Sequence, residues 1–497
     1  MRALINDAIR FIIGRTILLF APVLNGRQSI RIFSFNANQR RLKLKYRHAA
    51  ARCNTDARFA MTSGSTGEPK KILYTRRRLR SFKFIFSAMF IRACGAYRLR
   101  RTSLYVFSSF QQDASLTSLL LDEHKLPPYF STLQAPYRVQ QHPAIRKLAA
   151  EYGAAAVRLW LLALANPGVL YATNPSTISA FLDELEIDWL KCSRLVKTWC
   201  DAPQRFDPAI QRIASRLDSR GSTQRLRSIA SSNAPVPLQQ FAPSVSAYIC
   251  WTGGYVQPFL DRLAVHLPAT RYRSIPMYSM STETIETETV FRDGETFFLP
   301  LARGVVYEFV DDDENLLTPD RLTPGKSYAL VVSDQYGLRR YQTEDLFHCR
   351  RTLNGLPDLI FLRRRGLEYS FTGEKVTAEQ LTIVFGQLRS LLSDGFLTCV
   401  PSSSPIPHYK FVVIRETPIT SPQLLATLSD NLLADLNHEY KSKRVNGTLG
   451  PIMFVQTTAA DFANRFADNW ETQFKFLPLY RRTWESTMSS FKSSPVS

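Results

Sequence analysis

The hydrophobic period of this chain changes near residue 243, and that change limits what it can fold into. From about residue 76 to 200, apolar residues recur mostly at helical spacing, broken by prolines at 127–128, 136, 143, 167 and 175. Beyond it, "SVSAYICWTGG" and "FFLPLARGVVYEFVDD" alternate as strands do, and "KSYALVVSDQYGLRRYQTEDLF" continues as strand, turn and strand. A basic stretch, "FLRRRGLEYS", leads into mixed helix and strand. There "HYKFVVIRE" reads as a strand and "SPQLLATLSDNLLADLNHEYKSKR" as one long helix. Thr377 can cap a helix in "FTGEKVTAEQL", and Ser176 or Thr177 can cap another in "NPSTISAFLDELE". The pattern predicts a large α/β body, a boundary near 365–373 and a smaller α+β domain.

At 497 residues and 45% hydrophobic, the chain can bury a sizeable core in two or three domains. Its formal net charge of +21 raises nucleic acid, anionic membrane and acidic substrates as partners. The basic residues come in short bursts, "RRRLR" (76–80), "RLRR" (98–101) and "RRR" (363–365), with no basic tail, zinc-finger spacing or RNA-binding motif. Nucleic acid is therefore not the expected ligand, and solvated faces account for most of the charge. Seven cysteines without C-x-x-C pairs fit reduced thiols in a cytoplasmic protein, and the seven histidines form no zinc-ligand pair. In residues 1–24 an apolar run is interrupted by Arg10 and Arg15, too broken to span a bilayer. It reads as an amphipathic helix packed on the body, with a peripheral membrane anchor as the alternative.

The stretch "MTSGSTGEPKKILYT" (61–75) sits between a short strand, "RFAMTS", and a returning one, "KKILYT". Gly64 and Gly67 let the backbone pass close to a ligand, Ser63, Ser65 and Thr66 offer hydroxyls, and Lys70 or Lys71 supplies positive charge. The combination describes a flexible clamp for a polyphosphate; a surface turn is the alternative.

Four separated segments carry a family resemblance. "TSGSTGEPK" (62–70) is similar to the phosphate-binding loop of adenylate-forming enzymes. "YSMSTET" (278–284) resembles their acidic motif, with Glu283 at its carboxylate and the tyrosine one residue farther away than usual. "RRYQTEDLF" (339–347) resembles a Tyr-Arg-x-Gly-Asp motif, with Asp345 matching and Gln342 and Glu344 in place of the usual Arg and Gly. "FLRRRGLEYSFTGEKVTAEQL" (361–381) resembles the hinge between body and lid. More narrowly, "FTGEKVTAEQL", "LYATNPSTISAFLDELEIDW", "WTGGYVQPFLDRL" and the Gln-x-Lys-x-Pro-like "TQFKFLPLYRR" resemble the auxin-responsive acyl-acid amido synthetases.

The resemblance implies a large adenylate-forming body of mixed sheets and a β-barrel-like part flanked by helices, with a smaller α+β lid. The expected limits are a basic helical lead-in over 1–55, the body over 56–366, the lid over 367–490 and a disordered tail over 491–497. It implies ATP and Mg²⁺: Ser63, Gly64, Ser65, Thr66, Gly67, Lys70 and Lys71 on the phosphates, Glu283 on the metal, and Tyr278, Ser281 and Thr282 at the adenine. Asp345 would hold the ribose, Arg363 and Arg365 would couple that site to the lid, and Lys475 with Glu283 would be catalytic. The implied reaction adenylates a carboxylic acid and joins it to an amine, in the family's manner an amino acid. Alternatives are an acyl-CoA ligase, a carrier-protein-loading enzyme, or a degenerate member that binds nucleotide or a partner without catalysis. An acidic carrier protein or a membrane surface stands as a further partner.

Overall fold

Parallel strands need long crossovers, and the helical segments between residues 137 and 266 supply them. The computed structural model describes residues 2–47, 58–61, 71–108, 110, 116, 119–120, 137–371, 374–392, 395–445, 447–466 and 477–485. Strands β3 (Leu104–Val106), β4 (Val169–Tyr171), β5 (Ala247–Trp251) and β6 (Arg273–Met277) form a parallel sheet in that order. Its register aligns Tyr105 with Leu170, Leu170 with Tyr248 and Tyr248 with Ser274. β3 and β4 are buried throughout, as strands of a covered parallel sheet are. Against them packs the helix Ala154–Ala165, apolar almost all round and buried from Ala155 to Ala165.

Two helices open the chain, α1 (Arg2–Phe33) and α2 (Phe35–Arg47), and a third, α3 (Arg76–Ala96), comes after the hairpin of β1 (Arg58–Met61) and β2 (Lys71–Tyr74). β7 (Glu288–Arg292) and β8 (Glu295–Leu299) form a second hairpin. A five-stranded sheet then runs in the order β10 (Leu316–Leu317), β9 (Val305–Val310), β11 (Ser327–Asp334), β12 (Tyr341–Leu353), β13 (Leu356–Arg364). β12 and β13 are joined through Asn354 and Gly355, at φ of 51° and 76°, the pair of left-handed residues a tight hairpin turn requires.

The described residues fall into two compact units. One holds those up to Thr343 together with Phe347–Phe361; the other holds Glu344–Leu346 and those from Leu362 onward. In the second unit β14 (Glu368–Tyr369) pairs β15 (Val376–Thr377), and β16 (Phe396–Ser402), β17 (His408–Ile414) and β18 (Met453–Thr457) form a mixed sheet. Thr377 caps the helix Ala378–Leu388 through a full capping box with Gln380. The architecture is mixed α/β.

Three local expectations change. The cap of helix Pro175–Ile187 is Asn174, whose side chain accepts from Ser176 N at 3.0 Å. Pro175 suits the first helical position, which moves the cap one residue earlier than Ser176 or Thr177. The single long helix is two, Pro422–Leu436 and His438–Val445. Asn437 divides them: its amide donates to Glu374 O at 2.8 Å while its side-chain oxygen accepts from Tyr440 N at 2.9 Å. Finally, several basic residues are interior rather than solvated, with Arg78 3%, Arg92 1%, Arg158 7% and Arg225 7% exposed.

Candidate active site

The Ser/Gly stretch joins β1 to β2, whose antiparallel register sets Met61 against Lys71 and Ala60 against Ile72. This is the hairpin that the sequence pattern predicts. Ser63, Gly64, Ser65, Thr66, Gly67 and Lys70 lie outside the described residues, as does Lys475; Lys71 opens β2, and its side chain is outside them too.

Immediately after β2, Thr75 caps α3, its hydroxyl accepting from Arg78 N at 3.2 Å. The cap turns Arg78 inward, where its guanidinium donates to Leu73 O at 2.9 Å and to Glu283 O, and lies 3.5 Å from the carboxylate of Asp334. The rings of Tyr74 and Tyr336 flank it at 4.8 and 5.5 Å. Tyr74, buried so that its hydroxyl is held far above the usual phenol range, donates to Thr282 O. The return strand of the glycine loop is thereby tied to the backbone of the acidic loop at two successive residues, Thr282 and Glu283.

The acidic loop leaves the end of β6. Met280 bridges Ile285, Ser281 N donates to Thr284 O at 2.9 Å, and Ser281 Oγ accepts from Thr284 N at 3.3 Å. This tight turn presents Ser281 and Thr282 half-buried and Glu283 only 6% exposed. The Tyr341 hydroxyl, at the start of β12, donates to Glu283 Oε1 at 3.4 Å. The loop base is fastened by Ser279, whose N–H donates to Thr287 Oγ1 at 2.9 Å and whose hydroxyl donates to the Glu286 carboxylate. Tyr278 differs from expectation. It is 2% exposed in the core that also holds Met277, Ile285 and Tyr307, with burial raising its hydroxyl well above the ordinary range. No face of that ring is open to a base, and its role is packing.

Beside this loop a cavity of about 460 Å³ opens among Trp251, Gly253, Met277, Ser279, Phe298 and Phe361. That volume is in the range of small-molecule pockets. Gly253 brings the backbone close to the neighbouring strand: a Cβ there would crowd Phe361 O at 3.2 Å and Phe361 Cβ at 3.3 Å. Arg350, also on the wall, pairs at 3.0 Å with Asp358, a carboxylate it shares with Arg351 at 3.2 Å.

In the second unit, Asp345 is 9% exposed. Glu344, which stands where the resemblance expects glycine, has φ of +62°. The left-handed turn is therefore kept although the residue that adopts it without strain is not. Its carbonyl accepts from Arg365 N. Arg363 pairs with Glu379 at 3.2 Å, both side chains partly in solvent.

The donor set fits a magnesium–nucleotide ligand in one respect that the geometry shows. Glu283 is a buried carboxylate, and Tyr341 occupies one of its roughly four lone-pair sites. No group of three or more His, Cys, Asp or Glu among the described residues is arranged to hold a metal ion by itself. A hard divalent ion held here would draw its other oxygens from phosphate and water, as Mg²⁺ commonly does.

Arg78 and Tyr74 are the site residues that sequence reading missed. Arg78 lies in a basic burst indistinguishable by composition from a solvated face; its signal is position, three residues after a capping threonine at the end of the glycine-loop hairpin.

Comparison with known proteins accords with this geometry. The GH3 family N-terminal domain matches residues 55–271, and the GH3 family central domain matches residues 298–364, together more than half the chain. The indole-3-acetic acid-amido synthetase GH3.2 of Arabidopsis thaliana is 21% identical over 331 residues, 57% of each protein. The jasmonoyl–L-amino acid synthetase JAR4 of Nicotiana attenuata is 32% identical over 110 residues, 20% of this chain and 18% of that protein. The chain thus spans 57% of the length of the first of these relatives. Its fold is that of the AtGH3.15 acyl acid amido synthetase solved in complex with 2,4-DB, with a TM-score of 0.67 at 15% identity over 88% of this chain and 82% of that one. Two successive domains of one family, matched in order with the Ser/Gly loop inside the first, establish that this chain belongs to the GH3 family.

Proposed function

We propose that this chain is an ATP-dependent acyl-acid amido synthetase, which adenylates a carboxylic acid and passes the acyl group to an amine, an amino acid by analogy with the named relatives. The observation that carries the reading is the pair of bonds from Tyr74 and Arg78 to Thr282 and Glu283. They hold the return strand of a phosphate-type loop against a buried acidic turn.

A carboxylate is a poor electrophile, and transfer of AMP gives it a leaving group; the protein's part is positioning and charge cancellation. Bound Mg²⁺ would supply positive charge beside the phosphates, with Glu283 as its protein ligand. In this reading Ser63, Ser65, Thr66, Lys70 and Lys71 steady the departing pyrophosphate, Ser281 and Thr282 border the adenine, and Asp345 accepts from the ribose hydroxyls. Lys475 is proposed as the catalytic lysine, and residues 367–490 as the lid. Arg365 is proposed to couple the ribose turn to it, supported by the bond from its N–H to the Glu344 carbonyl. The cavity beside Gly253, walled by Trp251, Phe298 and Phe361, suits the apolar body of an aryl or indolyl acid. Buried free thiols such as Cys94, Cys250 and Cys399 fit a reducing cytoplasm.

The test is ATP–pyrophosphate exchange across aryl, indolyl, jasmonate-like and fatty acids. Exchange with a particular acid, lost in Glu283→Ala and Asp345→Ala, is the expected result. AMP release with CoA and not with amino acids would reassign the second step to a thiol acceptor. ATP binding with no exchange for any acid would overturn the enzymatic reading.

A further inference from the structure

Helix α1 is inverted. Four of its polar side chains face the protein: Asn6 donates to Asp218 O at 2.9 Å, Arg10 to Leu217 O at 2.7 Å and Gln28 to Thr289 O at 3.1 Å, and Arg31 grips both oxygens of Glu288 at 2.6 Å. Asn6, Arg10 and Gln28 are 0%, 8% and 3% exposed. The opposite face carries Ile5, Ile12, Leu19, Val23, Ile30 and Phe33, between 49% and 79% exposed. At 100° per residue these six fall within one quadrant of the wheel, and the buried polar residues fall across from it. A helix packed on the body by its apolar stripe, the expectation from sequence, has the reverse arrangement. Here hydrogen bonds and ion pairs hold the helix down, and a stripe roughly 42 Å long, from Ile5 to Phe33, is left outward.

We propose that this face seats on an anionic bilayer surface, with α1 lying in the plane of the interface. No helix among the described residues is long and apolar enough to cross a membrane, which leaves lying on it. Charge selects the bilayer over a second copy of the chain. α1 and α2 together hold ten lysines and arginines and one acid, Asp7. Arg15 and Arg27 border the apolar stripe, and Arg40, Arg41 and Lys45 of α2 are exposed as well. Two copies meeting on this face would bring like charges together, whereas acidic headgroups complement them. A cleft of about 920 Å³ beside Asn25 extends the field, its rim carrying Arg98, Arg100, Arg101, Arg271, Arg273 and Arg292 against Asp293 and Glu295. None of these named residues is assigned to the chemistry.

Flotation of the full chain with phosphatidylcholine vesicles, with and without phosphatidylglycerol, tests it. Wild type should float with the anionic vesicles, less so at high salt, and remain behind with neutral ones. Ile12→Glu/Leu19→Glu should weaken partitioning roughly a hundredfold, and Arg15→Glu/Arg27→Glu should abolish the preference for phosphatidylglycerol. Both pairs are solvent-facing, so unchanged thermal midpoints separate lost binding from lost folding. Failure to float, or equal binding to neutral vesicles, overturns the proposal. So does a sedimentation dimer dissolved by Ile12→Glu/Leu19→Glu, which would assign the face to a second copy.

Discussion

Replacing Arg78 by methionine keeps most of the apolar stem and removes the guanidinium. With it go the bonds to Leu73 O and Glu283 O, the approach to Asp334, which is 2% exposed, and the contacts with the rings of Tyr74 and Tyr336. Each hydrogen bond from a charged donor is worth about 1.5–3 kcal/mol. Asp334 keeps two backbone donors, Tyr336 N at 2.8 Å and Leu338 N at 3.0 Å, so its carboxylate is not stranded. The sum is moderated by that compensation, and Arg78→Met should destabilise the protein by about 3–5 kcal/mol, as breaking buried ion pairs does. Arg78→Lys keeps the charge without the fork and should cost about 2 kcal/mol. Urea unfolding followed by circular dichroism reads both. Pyrophosphate exchange below the melting range of Arg78→Lys should fall well before stability does, because the Glu283 loop has lost its tether. A loss under about 1 kcal/mol for Arg78→Met would refute the assignment of Arg78 as the link between the two loops.

Glu344→Gly should stabilise by about 0.5–1 kcal/mol, the relief of left-handed strain less the added chain entropy, read as a raised urea midpoint. Thr377→Ala removes the acceptor for Gln380 N and should cost about 1 kcal/mol, read in the same way. Burial pushes the thiols of Cys94 and Cys250 up to about 12, so the unfolded chain binds fewer protons than the folded one above pH ~9. Stability present below that pH should therefore fall by about 1.4 kcal/mol per pH unit for each thiol as pH rises towards about 12, and Cys94→Ala/Cys250→Ala should flatten the slope in urea titrations. The same burial makes both thiols slow towards a disulfide reagent at about pH 8 until the chain is unfolded.

What the sequence shows of this protein is mostly local. The hairpin around the Ser/Gly stretch arises from two short strands separated by turn residues, and the cap at Thr377 from a threonine three residues before Gln380. The switch from helical to strand period near 243 falls inside the parallel sheet: β5, the crossover helix Gln257–His266 and β6 follow it before the antiparallel sheets begin. Glu283 and Asp345 are legible as motif positions, and the structure buries both. The miss at Asn174 is local, a cap moved one residue earlier by Pro175, whereas the miss at Asn437 is long-range. An apolar period continues through a break when the breaking residue draws its hydrogen bonds from elsewhere, here from Glu374, sixty-three residues away.

The amino-acid sequence alone determined the order of elements, the glycine-loop hairpin and the carboxylates of the acidic motifs, since these rest on spacing within a few turns or strands. Tertiary structure decided which charges are interior and which apolar residues are not. Arg78 is buried because Glu283 and Asp334, more than two hundred residues away, converge on it. The apolar face of α1 is outward because Asp218, Leu217, Thr289 and Glu288 offer polar partners to its other side. A periodic pattern tells which residues share a face, but which way that face turns depends on the partners the rest of the chain brings to meet it.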